Sequence, residues 1–416
     1  MYNNFLTQVE NAASIAQFDA DFYNKILKPD HIHQVNFSVK LSDGSIQNFD
    51  GFRVQHNNLA GPYKGGLRFS KNVELDEVKT LSAWMTIKTS LLNLPLGGGK
   101  GGINLDPKSL SFDDKEKILR KFVEKMKNNL GPNIDIPAPD MYTNESLMAV
   151  ATDEIIKIKG QNHLATFTGK PVIMGGIKGR TEATALGGIM ALEEFFNITK
   201  DTIKGKKIII QGFGNAGNQA AKILHEKGAL IIATSDSKGG IINQNGLIID
   251  SLISCKSDGK ALNSCDININ EEGTKQISNE DLLKTECDIL ILAALENVIT
   301  ESNANDVKAK LIVELANGPI TPKADTILKN NEIDVLPDIL MNAGGVTVSY
   351  FEYSNNLSNR QVDKDEVYSL LQKYMSKAVS KVITQKNKYS CTYREASYIV
   401  SLKRLEKLFK IRKQFN

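Results

Sequence analysis

One segment constrains the fold of this chain more than any other. Residues 205–240 read GKKIIIQGFGNAGNQAAKILHEKGALIIATSDSKGG. The pattern predicts a buried strand, a glycine turn, a helix, a glycine stop, a second strand and an acidic turn. Two later apolar runs, at 288–295 and 310–315, lack polar alternation, as is typical of strands buried on both faces. Together these patterns predict a doubly wound α/β domain.

The turn after the first of these strands carries a G-x-G-x-x-G pattern. It consists of Gly212, Phe213, Gly214, Asn215, Ala216 and Gly217. The first glycine allows the tight turn, the second lets a pyrophosphate approach the backbone, and the third lets helix and strand pack closely. Three glycines can also serve turn and packing alone, but a position between strand and helix favours dinucleotide binding.

Asp236 ends the next predicted strand and bears on the choice of dinucleotide. A carboxylate there accepts the ribose 2′-hydroxyl and repels a 2′-phosphate, which favours NAD over NADP. The alternative is a turn aspartate in SDSKGG, with Ser237 and Lys238 available to a phosphate. NAD is therefore the preferred cofactor, and NADP stays open.

Chain length and charge limit the number of domains and the kinds of partner that are expected. A chain of 416 residues is too long for one ordinary core, so two domains are expected. A net charge of +3, from 51 basic and 48 acidic residues, gives no indication of nucleic acid or a membrane surface as a partner. The basic segment SLKRLEKLFKIRK has leucines at helical spacing, so a docked helix with a solvated basic face is expected there.

Targeting and metal signals are missing from the sequence. No secretory signal or apolar run of transmembrane length is visible. Cysteines at 255, 265, 287 and 391 lack C-x-x-C spacing, which predicts reduced thiols and a cytoplasmic protein. The five histidines lack metal-ligand spacing, so no metal site is expected.

Three lysines precede the α/β domain in unusual settings. Lys100 lies in LPLGGGKGG, where the glycine after it excludes a Walker A loop. Lys88 shares an apolar helical stripe, so either its stem snorkels or its ammonium binds a carboxylate. Lys64 is followed by Gly65 and Gly66, which leave room for a small substrate, although a turn lysine in a glycine loop fits too.

The chemistry expected of these lysines is acid–base catalysis on an anionic substrate. Converging cations would lower the pKa of one lysine by mutual repulsion and make it a base near neutral pH. Asp140, in DIPAPDMYTN, could be a capping aspartate before a helix that starts near Asn144. In a site that already holds lysines it would instead be their partner in proton transfer.

Taken together, the chain resembles the glutamate dehydrogenase family, within the wider group of amino-acid dehydrogenases. The resemblance covers nearly the whole sequence and rests on GPYKGGLRF, LPLGGGKGG, IPAPDMYT, TGKPVIMGGIKGRTEAT, GFGNAG, SDSKGGI, ALENVIT, ELANGPITPKAD, PDILMNAGGVTVSYFE and TYREASYIVSLKRL. It implies reversible, NAD(P)-dependent conversion of L-glutamate and water to 2-oxoglutarate and ammonium.

The resemblance also implies roles for individual residues. Lys100 would assist attack of water on the iminium intermediate, and Asp140 would exchange protons with the substrate nitrogen. Lys88 would hold the α-carboxylate, and Lys64 and Ser349 the side-chain carboxylate. Further family positions are Asn342 and Val346 beside the nicotinamide, Thr184 at its carboxamide, and Asn317 in a cofactor-facing stretch.

Substrate preference follows from Lys64. Relatives that take leucine, valine or phenylalanine carry an apolar residue there, because an ammonium facing an alkyl group is costly. Lysine therefore predicts glutamate, although a branched-chain or aromatic amino-acid dehydrogenase, or a dinucleotide-binding regulatory protein without activity, are alternatives. The chain departs from the family pattern at ALGG after Thr184, at the leucine of ILAALEN and at Met85.

The expected architecture is an α/β protein of two domains with a cleft between them. Residues 1–184 should form a substrate-binding and oligomerisation domain with a mixed sheet. Residues 185–389 should form a Rossmann-like dinucleotide-binding domain with its connecting helices. The family resemblance implies a C-terminal helix, about 390–416, that packs on the first domain, and a homohexamer.

Overall fold

The computed structural model describes residues 2–265 and 271–414. The chain forms two compact units. The first unit comprises the segments 1–180, 346–370 and 398–416, and the second comprises 181–345 and 371–397.

The first unit combines one sheet with five helices from the N-terminal segment. Its elements are α1 (Tyr2–Ala16), α2 (Ala20–Ile26), β1 (His31–Lys40), β2 (Ile46–Asn57), β3 (Tyr63–Ser70), α3 (Leu75–Leu91), β4 (Gly98–Asn104), α4 (Phe112–Met126), β5 (Asp135–Pro139) and α5 (Glu145–Lys159), with 3-10 turns at Leu164–Thr166 and Val172–Met174. The sheet order is β1-β2-β4-β3-β5. The β1–β2 and β2–β4 pairs are antiparallel, whereas β3 runs parallel to β4 and β5, so the sheet is mixed as predicted.

The second unit is built on a seven-stranded sheet. Its elements are α6 (Ala183–Thr199), β6 (Lys207–Gln211), α7 (Asn215–Glu226), β7 (Leu230–Asp236), β8 (Gly239–Ile242), α8 (Ile249–Ser257), β9 (Lys275–Ile277), α9 (Asn279–Leu283), β10 (Cys287–Leu292), β11 (Ala309–Glu314), α10 (Pro322–Asn330), β12 (Asp334–Leu336) and α11 (Asp338–Met341), with 3-10 turns at Leu262–Ser264 and Ala304–Asp306. The order is β12-β11-β10-β6-β7-β8-β9. The strands from β12 to β7 are parallel, which is the doubly wound arrangement predicted from the apolar runs.

This strand order fixes where a ligand is expected. From β6 the chain first adds β7 on one side and later adds β10 on the other. The order of the strands therefore reverses between β6 and β10, and open α/β sheets bind ligands at the carboxyl ends of strands beside such a reversal. The G-x-G-x-x-G turn lies there, directly after β6.

Three long helices complete the chain, and each has residues in both units. They are α12 (Gly344–Ser358), α13 (Lys364–Tyr389) and α14 (Tyr393–Lys413). The two-domain α/β class is confirmed. The division of the chain differs in detail from the predicted ranges, because 346–370 belongs to the first unit, where the Tyr353 hydroxyl donates to the Pro132 carbonyl at 3.0 Å.

The cysteine prediction is wrong for one pair. Cys255 and Cys265 form a disulfide, with their Cα atoms 5.8 Å apart. The chain reverses between α8 and the 3-10 turn at 262–264, and this brings two residues ten positions apart into bonding range. Cys287 and Cys391 are free and buried. Within the described ranges, no helix has the length and apolar character that a membrane crossing requires.

Candidate active site

Lys100 and Asp140 are brought together at the carboxyl end of β5. Lys100 lies in β4 and is 6% exposed, and its Nζ is 2.6 Å from Asp140 Oδ2. The same Asp140 oxygen accepts a hydrogen bond from Arg68 Nε at 2.9 Å. Asp140 does not cap the helix that follows, since that position is occupied by Asn144, whose side chain accepts from the Leu147 amide.

The surroundings of this pair set its protonation. Burial lowers the pKa of Lys100; Asp140 opposes the shift and Arg68 adds to it, so the net change is downward. Burial alone would raise the pKa of Asp140, but the charges of Lys100 and Arg68 outweigh it and hold the carboxyl well below its usual range. Mutual repulsion among the three lysines, the predicted cause, is thus not the main one.

Lys64 lies on the strand beside the one that carries Lys100. It lies in β3, is 1% exposed, and donates to Thr168 Oγ1 at 2.8 Å and to the Ile136 carbonyl at 3.2 Å. Burial lowers its pKa well below the usual lysine value, with Arg180 adding to the shift and Glu352 opposing it. A buried ammonium with neutral hydrogen-bond partners favours an anionic ligand.

Ser349 is linked to the same region. It is buried in α12, and its hydroxyl accepts a hydrogen bond from Arg180 Nε at 3.0 Å. Val346, one turn earlier in α12, is partly exposed. Lys88 is 7% exposed in the last turn of α3, which agrees with the predicted helix.

The glycines of GPYKGGLRF have a packing role that the sequence analysis did not predict. A Cβ on Gly65 would lie 1.6 Å from the Gly99 carbonyl oxygen, so β3 and β4 can approach only without it. A Cβ on Gly66 would lie 2.7 Å from Asp140 Cβ, so the space beside this glycine holds the carboxylate side chain. Arg53 donates to the carbonyls of both glycines.

Three residues that contact the predicted site were missed. Arg68, Arg180 and Thr168 each lie inside a quoted motif, GPYKGGLRF or TGKPVIMGGIKGRTEAT. Their proximity in sequence to Lys64 and Thr184 was a usable signal. Arg68 additionally forms a short ion pair with Glu77 of α3.

In the second unit the glycine turn has the geometry that a dinucleotide requires. Gly212 has a φ of +95°, in the left-handed region that favours glycine. A Cβ on Gly217 would lie 1.9 Å from the Gly212 carbonyl oxygen, so α7 can pack on β6 only with glycine there. Gly214 is the N-cap of α7 and has open space where its Cβ would be.

This open space fits a phosphate group. The N-terminal amides of α7 face it, and Asn215 and Ala216 form the first helical turn. Phe213 is buried behind the turn at 2% exposure. Near the ends of β6 and β7 and on α7, four buried polar atoms have no hydrogen-bond partner within residues 2–265 and 271–414. They are Gln211 Oε1, Thr234 Oγ1, Ser235 Oγ and Asn218 Oδ1.

Asp236 is more heavily engaged than the sequence indicated. Its Oδ2 accepts from Lys256 Nζ at 2.8 Å and from the Leu262 amide at 3.0 Å, and its Oδ1 accepts from the Lys238 amide at 2.8 Å. Burial would raise its pKa, but these donors outweigh burial and lower it. Lys256 lies in α8 next to Cys255 of the disulfide, and Leu262 lies three residues before Cys265.

The loops after β11 and before α12 are joined by asparagines. Asn342 Nδ2 donates to Asn317 Oδ1 at 2.9 Å and to the Ala316 carbonyl at 3.3 Å. Asn342 is 9% exposed, and Asn317 is exposed. Thr184 lies in the first turn of α6 and is partly exposed.

A buried charge cluster supports these loops. Glu314, at the end of β11, accepts two hydrogen bonds from Arg394 of α14, at 2.8 and 2.9 Å, and one from the Asp338 amide at 2.8 Å. Arg394 also binds Asp325, and Asp338 Oδ2 accepts from the Gly318 amide. Burial raises the pKa of Glu314 to about 7, against the opposing charge of Arg394.

The described residues contain no group of three or more His, Cys, Asp and Glu side chains that could hold a metal ion. One sheet carries a glycine turn of the dinucleotide-binding pattern, and the other carries a buried lysine paired with a carboxylate. These are the features expected of a dinucleotide-dependent dehydrogenase.

Family models agree with this class. The model described as Glutamate/Leucine/Phenylalanine/Valine dehydrogenase matches residues 175–412, and the one described as the dimerisation domain of Glu/Leu/Phe/Val dehydrogenases matches residues 29–157. The chain therefore belongs to the Glu/Leu/Phe/Val dehydrogenase family and is an amino-acid dehydrogenase.

The individual relatives that the chain matches are glutamate dehydrogenases. The chain is 41% identical over 406 residues to the NAD-specific glutamate dehydrogenase of Staphylococcus aureus, covering 97% of this chain and 96% of that protein. It is 46% identical over 380 residues to the NADP-specific glutamate dehydrogenase of Saccharolobus shibatae, covering 90% and 88%. The solved hetero-hexameric glutamate dehydrogenase from Thermus thermophilus, in its Leu bound form, matches with a TM-score of 0.92 at 28% identity, covering 99% of this chain and 96% of that one.

Proposed function

We propose that the protein catalyses the reversible NAD- or NADP-dependent oxidative deamination of L-glutamate to 2-oxoglutarate and ammonium. The observation that carries this proposal is the buried Lys100–Asp140 pair at 2.6 Å, in the same unit as the buried Lys64 ammonium. Relatives specific for either dinucleotide support the use of NAD or NADP.

Lys100 and Asp140 are the proposed catalytic residues. A lysine whose pKa is lowered can accept a proton from the attacking water at moderately alkaline pH. Asp140, held ionised by Lys100 and Arg68, is proposed to exchange protons with the substrate nitrogen. Arg68 keeps the carboxylate in place and is a positioning residue.

The proposed substrate ligands are cations and a hydroxyl. Lys88 holds the α-carboxylate, while Lys64 and Ser349 hold the distal carboxylate. Arg180, which donates to Ser349 Oγ, adds positive charge beside that hydroxyl. Gly65 and Gly66 provide the backbone along which the substrate lies, and Asn342 and Val346 are proposed to line the pocket.

The dinucleotide, when bound, supplies the acceptor for the hydride that leaves Cα of glutamate. The residues proposed to hold it are Gly212–Gly217 at the pyrophosphate, Asp236 at the adenosine ribose, and Thr184 and Asn317 near the nicotinamide. The open space at Gly214 and the α7 N-terminus support this placement.

The protein is proposed to be a homohexamer and to be located in the cytoplasm. The hexameric structure of the Thermus relative and the dimerisation domain matched at 29–157 support an oligomer. Light scattering coupled to size-exclusion chromatography would give the subunit number, and a mass near that of six 45.8 kDa chains is expected. Cell fractionation tests the compartment, which is proposed because glutamate and both dinucleotides belong to the intracellular metabolite pool.

The activity is tested by initial rates of reductive amination. Purified protein with ammonium and 2-oxoglutarate should oxidise NADH or NADPH, seen as loss of nicotinamide absorbance. 2-Oxoisocaproate and phenylpyruvate are the control acids, and they should give little rate because Lys64 faces an alkyl or aromatic group at a cost of several kcal/mol.

Two results would contradict the proposal in different ways. Activity confined to a control acid would make the protein a branched-chain or aromatic amino-acid dehydrogenase. No activity with any acid, although dinucleotide binds, would favour a regulatory protein without catalysis.

A further inference from the structure

Glu352 is a buried carboxylate with no assigned role. It lies in α12, and its side chain and that of Lys170 are both 0% exposed. Its Oε2 accepts from the Gly169 amide at 2.8 Å, and its Oε1 accepts from Lys170 Nζ at 2.8 Å and the Lys170 amide at 3.3 Å. A carboxylate is buried in this way only when paired and hydrogen-bonded.

The segment whose amides bind Glu352, Gly169–Lys170, is directly preceded by a hydrogen-bond partner of Lys64. Thr168 directly precedes Gly169, its hydroxyl accepts from Lys64 Nζ, and its amide donates to the Pro137 carbonyl at 3.1 Å. Gly169 has a φ of +78°, and a Cβ there would lie 2.4 Å from Pro139 Cδ. The position of Thr168, and with it that of the Lys64 ammonium, therefore depends on the bonds made by Glu352.

Glu352 is also tied to the second proposed carboxylate ligand. It lies three residues after Ser349, so the two side chains share one face of α12. Its charge acts on Arg180, the donor to Ser349 Oγ, and on Lys64. The charge of one carboxylate thus acts on three basic residues, Lys64, Lys170 and Arg180, which leaves a positive excess for an anionic ligand.

We propose that Glu352 is a positioning residue for the distal carboxylate of the substrate. It fixes Lys64, through Thr168, relative to Ser349 and Arg180, and so determines the preference for 2-oxo acids that carry a second carboxylate. This inference rests on the proposed function.

The test compares two substrates of equal chain length. 2-Oxoglutarate has the distal carboxylate, and 2-oxovalerate lacks it. In Glu352→Gln, the KM for 2-oxoglutarate should rise about 10- to 100-fold, as for loss of a charged hydrogen-bonding group. The kcat/KM for 2-oxovalerate and the KM for NADH should change by less than about threefold. Glu366→Gln, which alters a partly exposed glutamate paired with Arg360, is the matched control and should behave as the unmodified protein.

A second variant separates positioning from charge balance. Glu352→Gln with Lys170→Met removes both members of the buried pair and protects the fold if the single variant is unstable. If Glu352 positions the ligands, the double variant folds yet keeps the raised KM for 2-oxoglutarate. Recovery of that KM would show that Glu352 is only a counter-ion and would overturn the inference.

The remaining outcomes are also decisive. Suppose that the unmodified protein uses 2-oxoglutarate. An equal fall in kcat/KM for both acids in Glu352→Gln, or no fall for either acid, would then overturn the inference. Failure of the unmodified protein to use 2-oxoglutarate would instead overturn the proposed function, and the inference with it.

Discussion

Lys100 is the residue on which the proposed chemistry depends most. It is 6% exposed, and its Nζ forms an ion pair with Asp140 Oδ2 at 2.6 Å. Lys100→Ala should abolish turnover, a loss of at least about 1,000-fold. Dinucleotide affinity, measured by quenching or enhancement of NADH fluorescence, should be unchanged, because the G-x-G-x-x-G turn is on another sheet. Retained turnover would remove the catalytic role, and Lys71→Ala, an exposed lysine of the same unit, is the control.

The neighbours of Lys100 predict the pH dependence. Burial lowers its pKa most, Asp140 raises it and Arg68 lowers it further. Because the neutral amine is the base, the rate of glutamate oxidation should rise as pH increases through this lowered pKa. Arg68→Gln removes one of the lowering charges, so the rising limb of kcat/KM should move to higher pH. A shift to lower pH, or a similar shift in the surface variant Arg360→Gln, would contradict this assignment.

Lys256 should influence the choice of dinucleotide. Its ammonium is 2.8 Å from Asp236 and offsets the charge that would repel a 2′-phosphate. Lys256→Met should therefore raise the NADH to NADPH ratio of kcat/KM by about tenfold, or about 1.4 kcal/mol. Lys260→Met, an exposed lysine four positions on, makes the same change in net charge and should leave the ratio unaltered. Unchanged or improved use of NADPH in the Lys256 variant would contradict the prediction.

Residue contacts were only partly predictable from the sequence. Asp140 was proposed as a partner of the lysines, and the structure places it against Lys100, although its catalytic role stays a prediction. The Arg68–Asp140 contact joins residues 72 positions apart, and the Glu352–Lys170 contact joins residues 182 apart. No local pattern encodes such separations, because they arise when distant strands and helices pack.

At the scale of elements, alanine substitutions at two glycines of one turn are expected to affect stability and NADH binding in opposite ways. Gly214 has φ −76° and open space at its Cβ position, so Gly214→Ala should fold normally, with a Tm within about 2 °C of the unmodified protein. If a pyrophosphate uses that space, NADH affinity should fall about tenfold. Gly217→Ala places a Cβ 1.9 Å from a backbone carbonyl, and it should destabilise the second unit by about 1–3 kcal/mol.

Thermal unfolding and NADH titration of both variants check these expectations. Unchanged NADH binding in a folded Gly214→Ala variant would mean that the space beside this glycine holds no phosphate. Normal stability of Gly217→Ala would contradict the packing argument. Each variant serves as the control for the other, since the chemical change is identical.

Elements with a strong local pattern were predicted well. The strand, glycine turn, helix and second strand of 205–240 are β6, α7 and β7, because uninterrupted apolar runs and glycines at fixed offsets specify them. The short antiparallel strands β8 and β9 were not predicted, since GGII and KQI carry too few residues for a period. The assignment of 346–370 to the first unit was not predicted, because it depends on packing between distant residues and not on the local sequence pattern.

At the scale of the whole molecule, Glu314 should make stability depend on pH. Its pKa is raised from 4.5 to about 7 in the folded protein. Below about pH 4.5 the carboxyl is protonated in both states; between 4.5 and 7 the unfolded chain releases its proton first, so stability falls as pH rises. The full effect is about 3 kcal/mol, the free energy that corresponds to moving this pKa from 4.5 to about 7.

Glu314→Gln cannot titrate, so this part of the pH dependence should disappear. Thermal unfolding measured from pH 5 to 8 should show a smaller decrease in Tm than in the unmodified protein. Glu301→Gln, an exposed glutamate paired with Lys323, should retain the original slope. An unchanged slope in the Glu314 variant would contradict the assignment.

The discontinuous first unit has a consequence for how the protein is made. Tyr398 and Glu406 of α14 bond to Gln8 and to the Asp19 amide, so these N-terminal helices are held by residues that are translated 390 and 387 positions later. The segment 181–345 leaves the ribosome before 398–416, and most of the second sheet can pair while the N-terminal helices still lack α14. During synthesis the second unit is therefore expected to fold ahead of the first, and α1 and α2 stay without these contacts until α14 has been made.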